Sequence, residues 1–111
     1  MNYSIETLPN FDRQVKRLAK KYKSLKEDLQ ELTNALRSDP AVGADLGNGV
    51  RKVRMAIRAK GKGKSHGARV ITHTAVISVR EGVVTLLAIY DKAEQSAITS
   101  KEIEQLLREL E

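Results

Sequence analysis

The spacing of apolar positions changes along the chain, and each change marks an element. Asn2 to Thr7 alternates weakly through Tyr3 and Ile5. It predicts a short edge strand ahead of Pro9, whose fixed φ suits the first turn of a helix. From Pro9 onward Phe11, Val15, Leu18, Ala19 and Tyr22 recur three and four apart, with Arg13, Lys16, Arg17, Lys20 and Lys21 around the rest of the cylinder, the pattern of an amphipathic helix. Ser24 and Glu27 have capping-box spacing, and Leu25, Leu29, Leu32 and Leu36 carry the helical period on until Ser38-Asp39-Pro40 stops it. The two helices form an αα-hairpin. Residues 40–49, with Gly43, Gly47 and Gly49, read as a loop.

Between Val50 and Arg58 the period becomes two, so Val53, Met55 and Ile57 point one way and Lys52, Arg54 and Arg58 the other. Residues 59–67 are a glycine-rich cationic loop, and Ala68 to Val79 and Val83 to Tyr90 are β-branched runs around Glu81-Gly82, which predict a β-hairpin. With Glu81-Gly82 as a two-residue turn, His73 stands opposite Tyr90 and Ile71 opposite Lys92. Arg69, His73, Tyr90 and Lys92 then gather at the end of the hairpin away from its turn, unless a bulge changes the register. Thr99 and Glu102 again have capping-box spacing, and Ile103, Leu106, Leu107 and Leu110 form the apolar stripe of a C-terminal helix. The order predicts a single α+β domain over residues 1–111: an N-terminal strand and αα-hairpin packed on an antiparallel sheet, then a C-terminal helix, with the helices on one sheet face.

A length of 111 residues fits one domain. With no Cys there is neither a disulfide framework nor a thiolate metal site, and two His are too few for a structural zinc. The longest apolar stretch, Val83 to Tyr90, is far short of a membrane span, and Met1 to Pro9 lacks the layout of a signal peptide. A cytoplasmic protein is expected. The net charge of +6 is unevenly spread, for residues 51–80 hold nine Lys/Arg and no Asp/Glu. Like charges crowded in one block repel one another, so the block points to a polyanionic partner.

Gly63-Lys64-Ser65 is not a P-loop, because Arg58 stands where that motif needs its first glycine and a strand follows instead of a helix. Paired carboxylates are absent from the basic half, and no Ser has a His and an acid in a triad pattern. What remains is cationic acid–base chemistry. The runs Arg51-Lys-Val-Arg-Met-Ala-Ile, Lys62-Gly-Lys-Ser-His-Gly-Ala-Arg-Val-Ile71 and Leu86-Leu-Ala-Ile-Tyr-Asp-Lys92, together with the Phe11 and Leu18 helix, resemble the RelE/HigB branch of the RelE/ParE toxin superfamily. Many members of that branch have Gly where His66 stands, and Tyr is common at the position of His73.

The resemblance implies the RelE-like fold and the toxin of a type II toxin–antitoxin pair, a ribosome-dependent, metal-independent mRNA endoribonuclease with no cofactor. Its partners would be a cognate antitoxin, the ribosome and mRNA. The alternative is a non-enzymatic ParE-like gyrase inhibitor or an RNA-binding module of the same fold. Cleavage through an RNA 2′-hydroxyl needs a base, positive charge on the phosphorane-like transition state, and an acid for the departing 5′-oxygen. Lys52 and Arg54 match the family's basic strand positions, Arg69 matches its phosphate-gripping strand Arg, and Lys92 matches a further basic position. Crowded cations lower a Lys pKa, which lets Lys52 or Lys92 move a proton while Arg stays charged. Tyr90 offers a stacking or orienting ring, and His73 a possible acid or base. Arg51, Arg58, Lys60, Lys62, Lys64 and His66 are the expected RNA- and ribosome-binding residues.

Overall fold

The computed structural model describes residues 2–110. The elements run β1 (Asn2–Thr7), α1 (Pro9–Lys21), α2 (Leu25–Ser38), β2 (Ala44–Gly47), β3 (Val50–Met55), β4 (Ala68–Val76), β5 (Glu81–Asp91) and α3 (Ser100–Arg108). Single 3₁₀ turns at Arg58–Lys60 and Lys64–His66 shape the cationic loop between β3 and β4. The strands form one sheet in the order β1-β5-β4-β3-β2. The fold is the expected α+β class, with β1 at an edge, but the sheet is mixed: β1 runs parallel to β5 while the other pairs are antiparallel.

Two apolar layers sit on opposite faces of this sheet. On one face Met55, Val70, Leu86 and Ile89 pack with Phe11 and Leu18 of α1 and Leu25 and Leu36 of α2. Val50, Ile71, Ala88 and Tyr90 cover the other face, where Ile103, Leu106 and Leu107 of α3 pack against them. Adjacent residues such as Val70 and Ile71 fall in different layers because strand side chains alternate. The expectation of helices on one face is therefore corrected: α3 lies across the sheet from α1 and α2, and Lys52 and Arg54 of β3 share its face.

Several boundaries also differ from expectation. Residues 44–47 are not loop but β2, joined to β3 by Asn48-Gly49, whose φ values of 54° and 77° suit a tight two-residue turn. Strand β3 stops at Met55, before Arg58. Glu81-Gly82 is strand and the turn lies earlier, where the Ile77 and Ser78 N–H groups both donate to the Glu81 carbonyl. A bulge between Ile71 and Thr72 adds one residue to β5. The register consequently pairs Arg69 with Tyr90 and His73 with Thr85, so the expected His73–Tyr90 and Ile71–Lys92 pairs do not form. Ser24 precedes α2 without capping it; its hydroxyl donates to Asp28 at 2.8 Å and accepts from the Ala59 N–H at 2.9 Å, tying the cationic loop to α2. The Thr99–Glu102 capping box of α3 is present.

Gly67, where the loop enters β4, is pressed against β3. A Cβ there would meet the Met55 carbonyl oxygen at 2.1 Å and the Ala56 Cα at 3.0 Å. Backbone cannot swing aside as a side chain can, so Gly67→Ala is expected to cost about 1–3 kcal/mol. The urea midpoint of the variant checks this, and an unchanged midpoint would contradict the close approach.

Candidate active site

The register places three side chains in a row across neighbouring strands. Arg69 on β4 has Arg54 of β3 on one side and Tyr90 of β5 on the other. Lys52 lies two residues before Arg54 and so shares its face, and Lys92, in the turn just after β5, reaches the same cleft. Together with Lys64 from the loop, these residues line one cleft of about 480 Å³, and no acidic side chain is among its described lining residues. The five residues expected to carry the chemistry, Lys52, Arg54, Arg69, Tyr90 and Lys92, thus converge. Directly opposed like charges cost sheet stability, and Arg54 faces Arg69.

Arg69 is 4% exposed and forms no ion pair among the described residues. Its guanidinium donates instead to the carbonyls of Lys64 and Ala68, each at 3.1 Å, and of Ser65 at 3.5 Å. A buried cation is costly unless something compensates it. Carbonyl dipoles do so only in part, which leaves a positive centre suited to an anion. Beside it Tyr90 is also 4% exposed, and its hydroxyl has no hydrogen-bond partner among the described residues. Burial raises the Tyr90 pKa above the ordinary tyrosine value, although the Arg69 charge opposes this, so the phenol stays a neutral donor. A partnerless buried hydroxyl next to an unpaired guanidinium is an arrangement that an anionic ligand would complete.

The remaining expected residues are dispersed. His73 is half-buried between Val50 and Thr85 in the register, four residues along β4 from Arg69 and outside the cleft lining. Arg51 alternates to the opposite face from Lys52, where it donates to the Gly43 carbonyl at 3.2 Å and lies 3.9 Å from Asp45. Arg58 is committed to Glu31 and the buried Asp28. Lys60 is ion-paired with Asp91, which is fully buried. Lys62 and His66 line a neighbouring cavity of about 590 Å³ that shares Lys92 with the cleft.

The sequence reading gave no role to two groups that hold the cleft's frame. Beyond Leu86, where β1 stops pairing, the amide side chains of α1 cover the edge of β5: Asn10 donates to the Leu87 carbonyl at 3.1 Å and Gln14 accepts from the Ile89 N–H at 2.9 Å. Asp91 is the other, and its only signal in the sequence was an acid lodged between Tyr90 and Lys92. Among the described residues no group of three or more His, Cys, Asp or Glu is placed to hold a metal ion. No helix among them is long and apolar enough to cross a membrane.

No curated protein matches the chain. Across the full length of both chains the structure is similar to Escherichia coli toxin RelE, a double arginine-to-alanine mutant in the free state, with a TM-score of 0.59 at 13% identity. That likeness shows a common fold. A family model described as the RelE toxin of the RelE/RelB toxin–antitoxin system matches residues 10–110. The match spans both helices of the hairpin, every strand of the basic face and the C-terminal helix, and on it the chain belongs to the RelE toxin family.

Proposed function

We propose that this chain is a type II toxin of the RelE/HigB branch that acts in the cytoplasm as a ribosome-dependent, metal-independent mRNA endoribonuclease, held inactive by a cognate antitoxin. The observation that carries the proposal is the cleft centred on Arg69, acid-free among its described lining residues, where a buried guanidinium has no carboxylate partner among the described residues. In this reading Arg69, supported by Arg54 and Lys64, neutralises the scissile phosphate as negative charge builds on it during 2′-hydroxyl attack. Tyr90, whose ring is buried, donates its partnerless phenol to a phosphate oxygen. Lys52 and Lys92, at the two ends of the cleft, transfer protons to and from the 2′- and 5′-oxygens.

Diffuse cations stabilise charge but do not orient the attacking hydroxyl, so alignment has to come from the decoding site that presents the mRNA. The purified chain is therefore expected to leave free RNA almost intact and to cut mRNA on translating ribosomes. Mapping of mRNA 5′ ends after induction, with and without translation, tests this. Site-selective cutting of naked RNA at physiological salt would contradict it. Growth arrest with no new mRNA ends, and with gyrase-linked DNA breaks, would move the chain to the ParE-like activity.

A further inference from the structure

Behind the cleft, on the α1 side of the sheet, lies a buried polar cluster that the chemistry above does not use. Asp91 is fully buried and accepts from the Tyr22 hydroxyl at 2.5 Å, the Ala93 N–H at 3.0 Å and the Lys60 ammonium. Lys60 also donates to the His66 carbonyl at 2.9 Å, and its ammonium sits 5.4 Å from the centroid of the Tyr22 ring. One lysine at the start of the cationic loop therefore ties the far end of that loop, a strand and a helix to a single carboxylate. The two residues immediately before His66 are Lys64 and Ser65, whose carbonyls receive the Arg69 guanidinium. Asp91 itself follows Tyr90 and precedes Lys92, and in the register it stands opposite Ala68, next to Arg69.

We propose that Asp91, Lys60 and Tyr22 form a positioning lock, which fixes the 60–66 loop so that its carbonyls aim the Arg69 guanidinium into the cleft. The proposal rests on the reading of Arg69 as the phosphate-binding group, and it reassigns Lys60 from an RNA contact to a positioning residue. A lysine side chain only 12% exposed and already paired with a buried acid has little of its charge to offer an external phosphate. The loop it anchors is rich in glycine, with positive φ at Gly61 and Gly63, and would otherwise sample many conformations.

The test uses the full chain in ribosome-dependent cleavage and in side-chain NMR of Arg69. Lys60→Met keeps the stem and removes the charge. It is expected to lower kcat about 100-fold, the scale of a small misplacement of a charged group, with KM for the ribosome–mRNA complex changed by no more than about twofold. In the wild type the hydrogen-bonded guanidinium should show resolved Nη signals from slow rotation about Nε–Cζ, and in Lys60→Met these should average. Lys60→Arg should restore both readouts in part. Resolved Nη signals in Lys60→Met, or a wild-type kcat, would overturn the lock, and a loss carried wholly by KM would return Lys60 to contact with RNA. Should Lys60→Met fail to fold, Tyr22→Phe removes one hydrogen bond to Asp91 and should change kcat and the Nη signals in the same sense by less; no change in either would refute the proposal. If the wild type does not cleave at all, the functional reading falls while the Nη signals still decide the lock.

Discussion

Arg69→Ala is expected to lower ribosome-dependent cleavage about 100- to 1000-fold, the loss seen when one donor to a developing oxyanion is removed. The effect on folding should be small. Arg69 contributes hydrogen bonds to three loop and strand carbonyls, but the same substitution relieves the burial of an unpaired charge, and the two contributions oppose each other. Arg69→Lys keeps the charge and loses the planar fork, so it should retain an intermediate rate. Single-turnover cleavage on programmed ribosomes, alongside thermal melts, separates the two effects. A normally folded Arg69→Ala protein that still arrests growth would remove Arg69 from the reaction.

The second large effect concerns acid. Burial by itself would raise the Asp91 pKa, but hydrogen bonds from Lys60, Tyr22 and the Ala93 N–H outweigh it and hold the carboxyl below its ordinary value. The unfolded chain then takes up this proton more readily than the folded one. The contribution of Asp91 is complete at pH above the ordinary aspartate value of about 3.9, and it drains away as pH falls through the depressed folded value. Asp91→Ala strands Lys60 beside Tyr22 without a counter-ion and is expected to cost about 3–5 kcal/mol near neutral pH. Urea unfolding of both proteins between neutral and acid pH checks the pair of statements. The gap between them should narrow as pH falls, and a constant gap would mean that Asp91 acts by packing alone.

Most of the secondary structure was legible because its signals are local. The three-and-four spacing of Phe11, Val15 and Leu18, the period of two through Val53 and Met55, and the Thr99–Glu102 cap each specify an element within a few residues. Strand β2 had a local signal too, since Asn48-Gly49 is a strong hairpin dipeptide; the three glycines around it concealed a short, exposed strand. The register of β4 on β5 was not legible, because Glu81-Gly82 looks like a turn and the bulge leaves no clear mark in a run of apolar residues. That slip misplaced His73 while leaving Arg69 and Tyr90 on one face, since it moved the pairing by an even number of residues there. Ion pairing was the least legible feature. Charge counts presented Arg58 and Lys60 as free cations, and only the tertiary fold brings Glu31 and Asp91 to them.

The parallel pairing of β1 with β5 has a consequence for how the chain assembles. Asn2 aligns with Glu81 and Thr7 with Leu86, and the Leu8 N–H bonds to the Leu86 carbonyl. β1 must therefore wait, unpaired, until β5 has been made. Contacts of such sequence separation carry a large loop-closure cost and form late. The β2–β3 and β4–β5 hairpins can close on their own, whereas the edge of β5 and the side of the apolar layer where Tyr3 and Ile5 pack stay open until β1 docks. Docking of β1 on β5 is therefore the expected slow step of refolding.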